Sequence, residues 1–211
     1  MVANGDVAAS DRAVAADAGI VIAADGGALA LERWAIWPDV LVGDFDSLGV
    51  ERLPAYRERG TNVAQFPVAK DQSDLEIAMR FALESGADEI VLLGILGGPR
   101  VDHTLTNAML LADPAYRDRG VRAVFGETAL RALHAGETAT LRGAAGDVVT
   151  LVPVRGDAGG VRTTGLRYPL NGQTLHFGKS LGLSNVIATY PARVSIEQGV
   201  MLVIEIKEGQ T

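Results

Sequence analysis

The sequence contains no cysteine, which excludes disulfides, thiolate metal sites and a cysteine nucleophile. Long apolar runs are also missing. The longest, residues 90–96, falls far short of the roughly 20 residues needed to cross a bilayer. No basic stretch leads into a hydrophobic segment at the start, so no signal peptide is expected and a cytoplasmic protein is the default. Basic residues are in the minority, with 19 Lys and Arg against 26 Asp and Glu and a formal net charge of −7. Nucleic-acid surfaces need a basic stripe to displace counterions, so no nucleic-acid partner is expected, while a small phosphorylated ligand is left open. Neither Gly-x-Gly-x-x-Gly after a strand nor a Walker-type Gly-x-x-x-x-Gly-Lys-Ser/Thr is present, which leaves the usual dinucleotide and P-loop readings without support.

What remains is an ordinary globular composition, 48% hydrophobic and 21% charged over 211 residues, enough for one large domain or two small ones. Residues 20–24, 40–43, 62–66, 89–95 and 121–125 read as strands, the fourth apolar on both faces like a central parallel strand. Residues 28–34, 74–85 and 102–111 read as helices between them. Leu75, Ala78, Met79, Ala82 and Leu83 share one face, as do Leu105, Ala108, Met109 and Ala112. Alternating βα units imply a doubly wound, mostly parallel sheet. Residues 1–5 are short for a first strand, which implies a stub or a longer natural chain. After Gly126 strand-like segments 148–154, 173–177, 193–196 and 201–206 follow one another with turn signals between them and no long helical pattern. The expected architecture is an α/β domain, 1–127, followed by an all-β sandwich, 128–211.

Acidic clusters stand where apolar runs stop: Asp44-Phe45-Asp46, Asp71-Gln72-Ser73-Asp74, and Asp102-His103 after the Gly97-Gly98-Pro99-Arg100 turn. Ligands on doubly wound sheets bind at the carboxyl ends of strands. Two unit charges about 4 Å apart repel by about 4 kcal/mol at an effective dielectric near 20, so converging carboxylates call for a cation. Hard oxygen ligands suit Mg²⁺, which arrives with substrate phosphates.

Each motif also has a plainer reading. Asp25-Gly26-Gly27 fits an anion cradle at a helix start or a tight turn with an Asp cap. Alternation along an extended segment would put Asp44 and Asp46 on one side with Phe45 turned away; the alternative is a solvated Asx-turn. Ser73 or Asp71 could cap the helix, with Asp74 and Glu76 favoured by its dipole. Arg100 could clamp a phosphate, Asp102 could cap a helix or orient a nucleotide, and His103 fits a helix-start hydrogen-bonding role better than a metal ligand. His134 and His176 fall in expected strands without acidic neighbours and receive no role; Trp34 and Trp37 fit core or interface.

In order along the chain, these segments resemble the thiamine pyrophosphokinase family, whose pattern runs Ala-Asp-Gly-Gly, Gly-Asp-Phe-Asp-Ser, Lys-Asp-x-Thr-Asp-x-Glu, then a Gly-Gly turn into Asp-His. The matches are Ala24 to Gly27, Gly43 to Ser47, Lys70 to Glu76 and Gly97 to His103, followed by residues 165–170 and Gly182-Leu183-Ser184-Asn185. The resemblance implies transfer of a pyrophosphoryl group from ATP to the thiamine hydroxyl, releasing AMP, by a homodimer with thiamine bound between subunits. It implies Asp44, Asp46 and Asp74 as Mg²⁺ ligands and Asp25, Gly26, Gly27, Arg100, Asp102 and His103 on the nucleotide side. Ser184 and Asn185 would contact thiamine with Lys70 and Ser73 nearby, and Asp71 or Asp74 would accept the hydroxyl proton. Ser73 stands in place of the usual Thr. Val186-Ile187 follows Asn185 where related enzymes often carry an aromatic that stacks on thiamine, so a ring must come from elsewhere. Two rivals are a phosphatase with Asp44 as nucleophile and a non-catalytic ATP-binding sensor. The first lacks the later Gly-Asp-x-x-x-Asp of that class, because Gly146-Asp147 leads to Leu151.

Overall fold

Residues 1–67, 69 and 71–208 are described by a computed structural model. The chain divides into two units, Met1–Leu110 with Ala123–Gly126, and Leu111–Arg122 with the chain from Glu127 onward. The expected division at 127/128 lies close to the later crossing, but Leu111–Arg122 belongs with the second unit instead of the first. Arg117 gives the physical reason: its Nε donates to Glu137 at 3.2 Å and its Nη2 to the carbonyl of Ala135 at 2.8 Å.

In the first unit the elements run α1 Asp11–Ala16, β1 Ile22–Ala24, α2 Gly27–Arg33, β2 Val40–Gly43, α3 Leu53–Glu58, β3 Asn62–Gln65, α4 Asp74–Glu84, β4 Ile90–Leu92 and α5 Val101–Leu110. β5, Val121–Phe125, follows as the chain re-enters the unit. β1, β2 and β3 pair in parallel, with Ile22 opposite Val40 and Val40 opposite Asn62. The expected stub is real: Val2 bridges Ala23 on one side and Leu93 on the other, both in parallel. The order is therefore β3, β2, β1, stub, β4. The chain begins near the middle, winds outward through three strands, then crosses back to the other side. That reversal makes a topological switch point beside the stub, where open α/β sheets bind ligands.

Apolar strand residues build the core here. Ala23, Leu41 and Leu93 pack with Ala28, Leu31, Phe45 and Tyr56. The Tyr56 hydroxyl donates to Glu32 at 2.7 Å and its ring meets Trp37 edge-on at 5.2 Å. α1 has no counterpart in the sequence reading. Its buried Asp11 accepts from the amides of Ala8 at 2.8 Å and Gly126 at 2.9 Å, a long-range tie with no local pattern. α5 also departs from expectation: Leu105 and Met109, expected inward, are 55% and 56% exposed. The helical period was right, but the stripe is not covered by its own unit.

The second unit contains β6 Thr128–His134, β7 Thr138–Thr140, β8 Val148–Pro153, β9 Ala158–Thr164, β10 Asn171–Leu175, β11 Asn185–Val186, β12 Arg193–Ser195 and β13 Val200–Ile206. One antiparallel layer orders β6, β13, β8 and β11; the other orders β7, β12, β9 and β10. Leu133, Val149, Leu151, Met201 and Val203 of the first layer pack with Val161, Leu175 and Val194 of the second, the sandwich arrangement. His176 has the acidic neighbour the sequence reading missed, Asp157 at 2.8 Å. The Phe177 amide and then His176 hold that carboxyl below the ordinary range.

α4 carries the site's best-defined local signal. Ser73 Oγ accepts from the Glu76 amide at 3.2 Å, and the Glu76 carboxylate accepts from the Ser73 amide at 2.8 Å. Such a capping box satisfies two otherwise unpaired donors, and the helix then buries Leu75, Ile77, Ala78, Met79 and Ala82. Replacing Ser73→Ala is expected to lower stability by about 1 kcal/mol, read by urea denaturation, while Ser73→Thr retains it.

Candidate active site

A cavity of about 380 Å³ opens at the switch point of the first unit. Four chain segments reach it from strand ends: Asn4-Gly5 after the stub, Asp25 after β1, Asp44 to Ser47 after β2, and Gly97 to Arg100 after β4. Ser73 and Asp74 arrive from the start of α4, and His103, Thr104 and Asn107 from α5. All are brought together by the parallel winding, none by closeness in sequence.

Carboxylate oxygens of Asp25, Asp44 and Asp74 lie within 4.8 Å of one another. Fully charged, each pair at that separation repels by about 3–4 kcal/mol at an effective dielectric near 20. Asp25 is buried and the other two are half-buried. An all-oxygen set of this kind fits a hard divalent cation such as Mg²⁺ and not a soft metal.

Local backbone geometry holds these acids in place. Asp25 sits at φ +42°, a left-handed conformation that Asp tolerates better than most residues. Its Oδ1 accepts from the Leu48 amide at 3.2 Å, which ties the first acidic loop to the second. Gly43, at φ +156°, allows the approach: a Cβ there would stand 3.0 Å from the Asp25 Cβ.

The Asp44-Phe45-Asp46 segment is not extended, contrary to the alternation argument. Phe45 takes φ +67° and is 1% exposed. Burying that ring in the core turns the backbone, leaving Asp44 half-buried among the grouped acids and Asp46 exposed. Both still line the cavity. The Asp46 amide donates to Asp44 Oδ1 at 3.2 Å, so an Asx-turn and a ligand-facing acid coexist here. Asp46 is outside the group of three, and Asp25, expected on the nucleotide side, is inside it.

Gly26 and Gly27 do not line the cavity. A Cβ on Gly27 would collide with the Val2 carbonyl and one on Gly26 with the Asn4 side chain, so they let α2 pack against the stub. Arg100 does line the cavity, while Asp102 is outside the lining and meets Arg100. Arg100 Nε donates to Asp102 Oδ1 at 2.9 Å and Nη2 to Oδ2 at 2.6 Å. This fork-to-fork pair, chiefly through the Arg100 hydrogen bonds, holds the Asp102 carboxyl far below the usual carboxylate range. Asp71 is exposed and lies outside the lining, whereas Asp74 is part of it. Lys70 lies outside the described residues.

Ser184 and Asn185 belong to the second unit. Asn185 Nδ2 donates to the Tyr168 carbonyl at 2.7 Å, and its Oδ1 accepts from the Tyr168 amide at 3.0 Å and the Val186 amide at 2.9 Å. The side chain expected to contact substrate is thus occupied with holding the 165–170 turn. It fixes Tyr168, which is 62% exposed. Ser184 is exposed at φ +54°, its amide donating to Thr150 Oγ1 at 3.0 Å.

Asn4, Thr104 and Asn107 escaped the sequence reading. Asn107 Nδ2 donates to the Ile95 carbonyl at 3.3 Å and the Thr104 hydroxyl to the Gly97 carbonyl at 3.0 Å. The i, i+3 spacing of Thr104 and Asn107 on one helix face was available as a signal; Asn4 had none, because only the sheet brings it there.

The profile described as thiamin pyrophosphokinase, catalytic domain, matches residues 12–124. That described as thiamin pyrophosphokinase, vitamin B1 binding domain, matches residues 138–201. A thiamine pyrophosphokinase of Bacillus subtilis is 28% identical over 183 residues, spanning 87% of this chain and 85% of its own. The crystal structure of thiamine pyrophosphokinase from that organism matches with a TM-score of 0.84 at 26% identity, covering 98% of this chain and 97% of the other. Its counterpart from Geobacillus thermodenitrificans matches with a TM-score of 0.82 at 27% identity, over 99% and 97%. With the catalytic profile alone spanning more than half of the residues, the chain belongs to the thiamine pyrophosphokinase family.

Proposed function

We propose that the protein transfers the β,γ-pyrophosphoryl group of ATP to the hydroxyl of thiamine, giving thiamine diphosphate and AMP. The observation that carries this reading is the meeting of Asp25, Asp44 and Asp74 in the switch-point cavity, in a chain of this family. These three acids would hold Mg²⁺, which when bound supplies charge neutralisation for the ATP phosphates. Asp46 sits at the rim, beside the incoming phosphates. Arg100 has the planar fork suited to a phosphate, and Asp102 keeps that fork aligned beforehand.

The thiamine oxygen bonds to the β-phosphorus as the bond from that phosphorus to the oxygen bridging to the α-phosphate breaks, and AMP departs with the bridging oxygen. As the oxygen attacks, its proton passes to a carboxylate of the site, Asp71 or Asp74. Pyrophosphoryl transfer of this kind depends on positioning and charge more than on a strong base. Of the two acids considered for the proton, Asp74 lines the cavity. On the thiamine side, Tyr168 supplies the ring that Val186 and Ile187 do not, stacking on the permanently cationic thiazolium; Ser184 and Asn185 shape that surface. The protein works as a homodimer in this reading. Both units leave large apolar side chains exposed, among them Val101, Leu105 and Met109 on α5 and Phe177, Leu181 and Tyr190 in the sandwich. Among the described residues no helix is long and apolar enough to cross a membrane.

Incubation with ATP, Mg²⁺ and thiamine is expected to yield AMP, resolved from ADP by chromatography; ADP as the product overturns the assignment. Replacing Asp25, Asp44 or Asp74 singly by Asn should lower AMP formation by roughly a hundredfold or more, and Asp46→Asn by about tenfold or less. The opposite ranking would return Asp46 to the metal and remove Asp25. Light scattering should give twice the mass of the chain, and Leu105→Glu with Met109→Glu should shift it toward one chain.

A further inference from the structure

The second unit holds a cavity of its own, about 300 Å³, with no residue in common with the acidic one. Arg117, Arg122, Arg131 and Arg142 line it, against two carboxylates, Asp118 and Glu137. In a chain of formal charge −7, this is a local excess of positive charge within a concave surface. Its arrangement is more than a solvated basic patch, because Arg131 is drawn inside.

Arg131 Nη2 donates to the Thr140 carbonyl at 2.6 Å and lies 3.6 Å from Glu205. Its Nε is buried and has no hydrogen-bond partner among the described residues. A buried guanidinium donor without an acceptor is costly and uncommon. Glu205 only partly balances it, since its other carboxylate oxygen accepts from the amides of Arg142 at 2.6 Å and Gly143 at 3.1 Å. Burial holds the Arg131 guanidinium below the usual arginine range, with Glu205 opposing and the Arg142 charge adding to the effect. An anion in the cavity would offset the unfavourable effect of the Arg142 charge on Arg131.

We propose that this cavity binds a compact polyanion of the phosphate class, with a diphosphate group suited to the four arginines that line it. Planar forks pair with phosphate oxygens in a bidentate manner that a carboxylate-sized ligand would fill only in part. The site uses no group assigned to the transfer reaction, so it stands or falls apart from that reading.

Calorimetric titration of the full chain with inorganic pyrophosphate, in EDTA and a phosphate-free buffer, tests it. Without a divalent cation the acidic cavity repels the probe. One pyrophosphate per chain is expected, bound more tightly than inorganic phosphate and more weakly as salt is raised. The exposed pair Arg117→Gln with Arg142→Gln should weaken binding at least about tenfold, as should Arg131→Met, with unchanged circular dichroism. Asp44→Asn should leave it unaltered. ADP binding as tightly as pyrophosphate would identify a nucleotide-borne diphosphate as the source; pyrophosphate alone would identify the free anion. Absence of binding at millimolar pyrophosphate, or binding undiminished in both folded arginine variants, overturns the proposal.

Discussion

Mutual repulsion among Asp25, Asp44 and Asp74 is the constraint on which the rest of the first unit turns. Carboxylate oxygens within 4.8 Å of one another stay together only because the backbones that carry them are fixed by other means. Asp25 is tied through the Leu48 amide, Asp44 through its own turn and the buried Phe45 ring, and Asp74 through the capping box at Ser73 and Glu76. Two of these anchors are made by the carboxylates themselves, which accept backbone N–H groups; the buried Phe45 ring and the capping box hold the chain without using the acids' charges. The sheet therefore presents the three acids together from anchored loops, as sites preorganised for cation and phosphate binding do.

The same economy explains the conformational oddities near the cavity. Asp25 and Phe45 are non-glycine residues at positive φ, a conformation that costs free energy unless the surroundings enforce it. Both sit where a strand must turn abruptly to present an acid. Gly26 and Gly27 serve a different purpose from the one their sequence context implies: they admit the stub's backbone, which in turn carries Asn4 and Gly5 to the cavity wall. Close packing and ligand approach are both read as glycine pairs, and only the fold separates them.

The two units illustrate opposite uses of charge. The first gathers carboxylates in a chain of net negative charge; the second gathers arginines around a partly buried guanidinium. In the second unit Asn185 shows how a polar residue expected to meet a ligand is also engaged by structure. Two of its three hydrogen bonds to backbone groups hold Tyr168, an exposed residue, and the third meets the Val186 amide.

The sequence by itself determined the strands of the first unit with α2, α4 and α5 but not α1 or α3, the sandwich that follows, the capped start of α4 and the association of acidic motifs with strand ends. These are periodic or local properties, set by side-chain alternation, helical spacing and short-range hydrogen bonds. Tertiary structure alone decided that Asp25 joins Asp44 and Asp74 while Asp46 turns to the rim, because the burial of Phe45 overrides the alternation that sequence spacing implies. It also decided that Leu105 and Met109 stay uncovered on α5, and that Leu111–Arg122 joins the second unit through Arg117. Periodicity shows that a helix has an apolar face, but which neighbour meets that face depends on how distant strands are ordered, and no local pattern encodes that order.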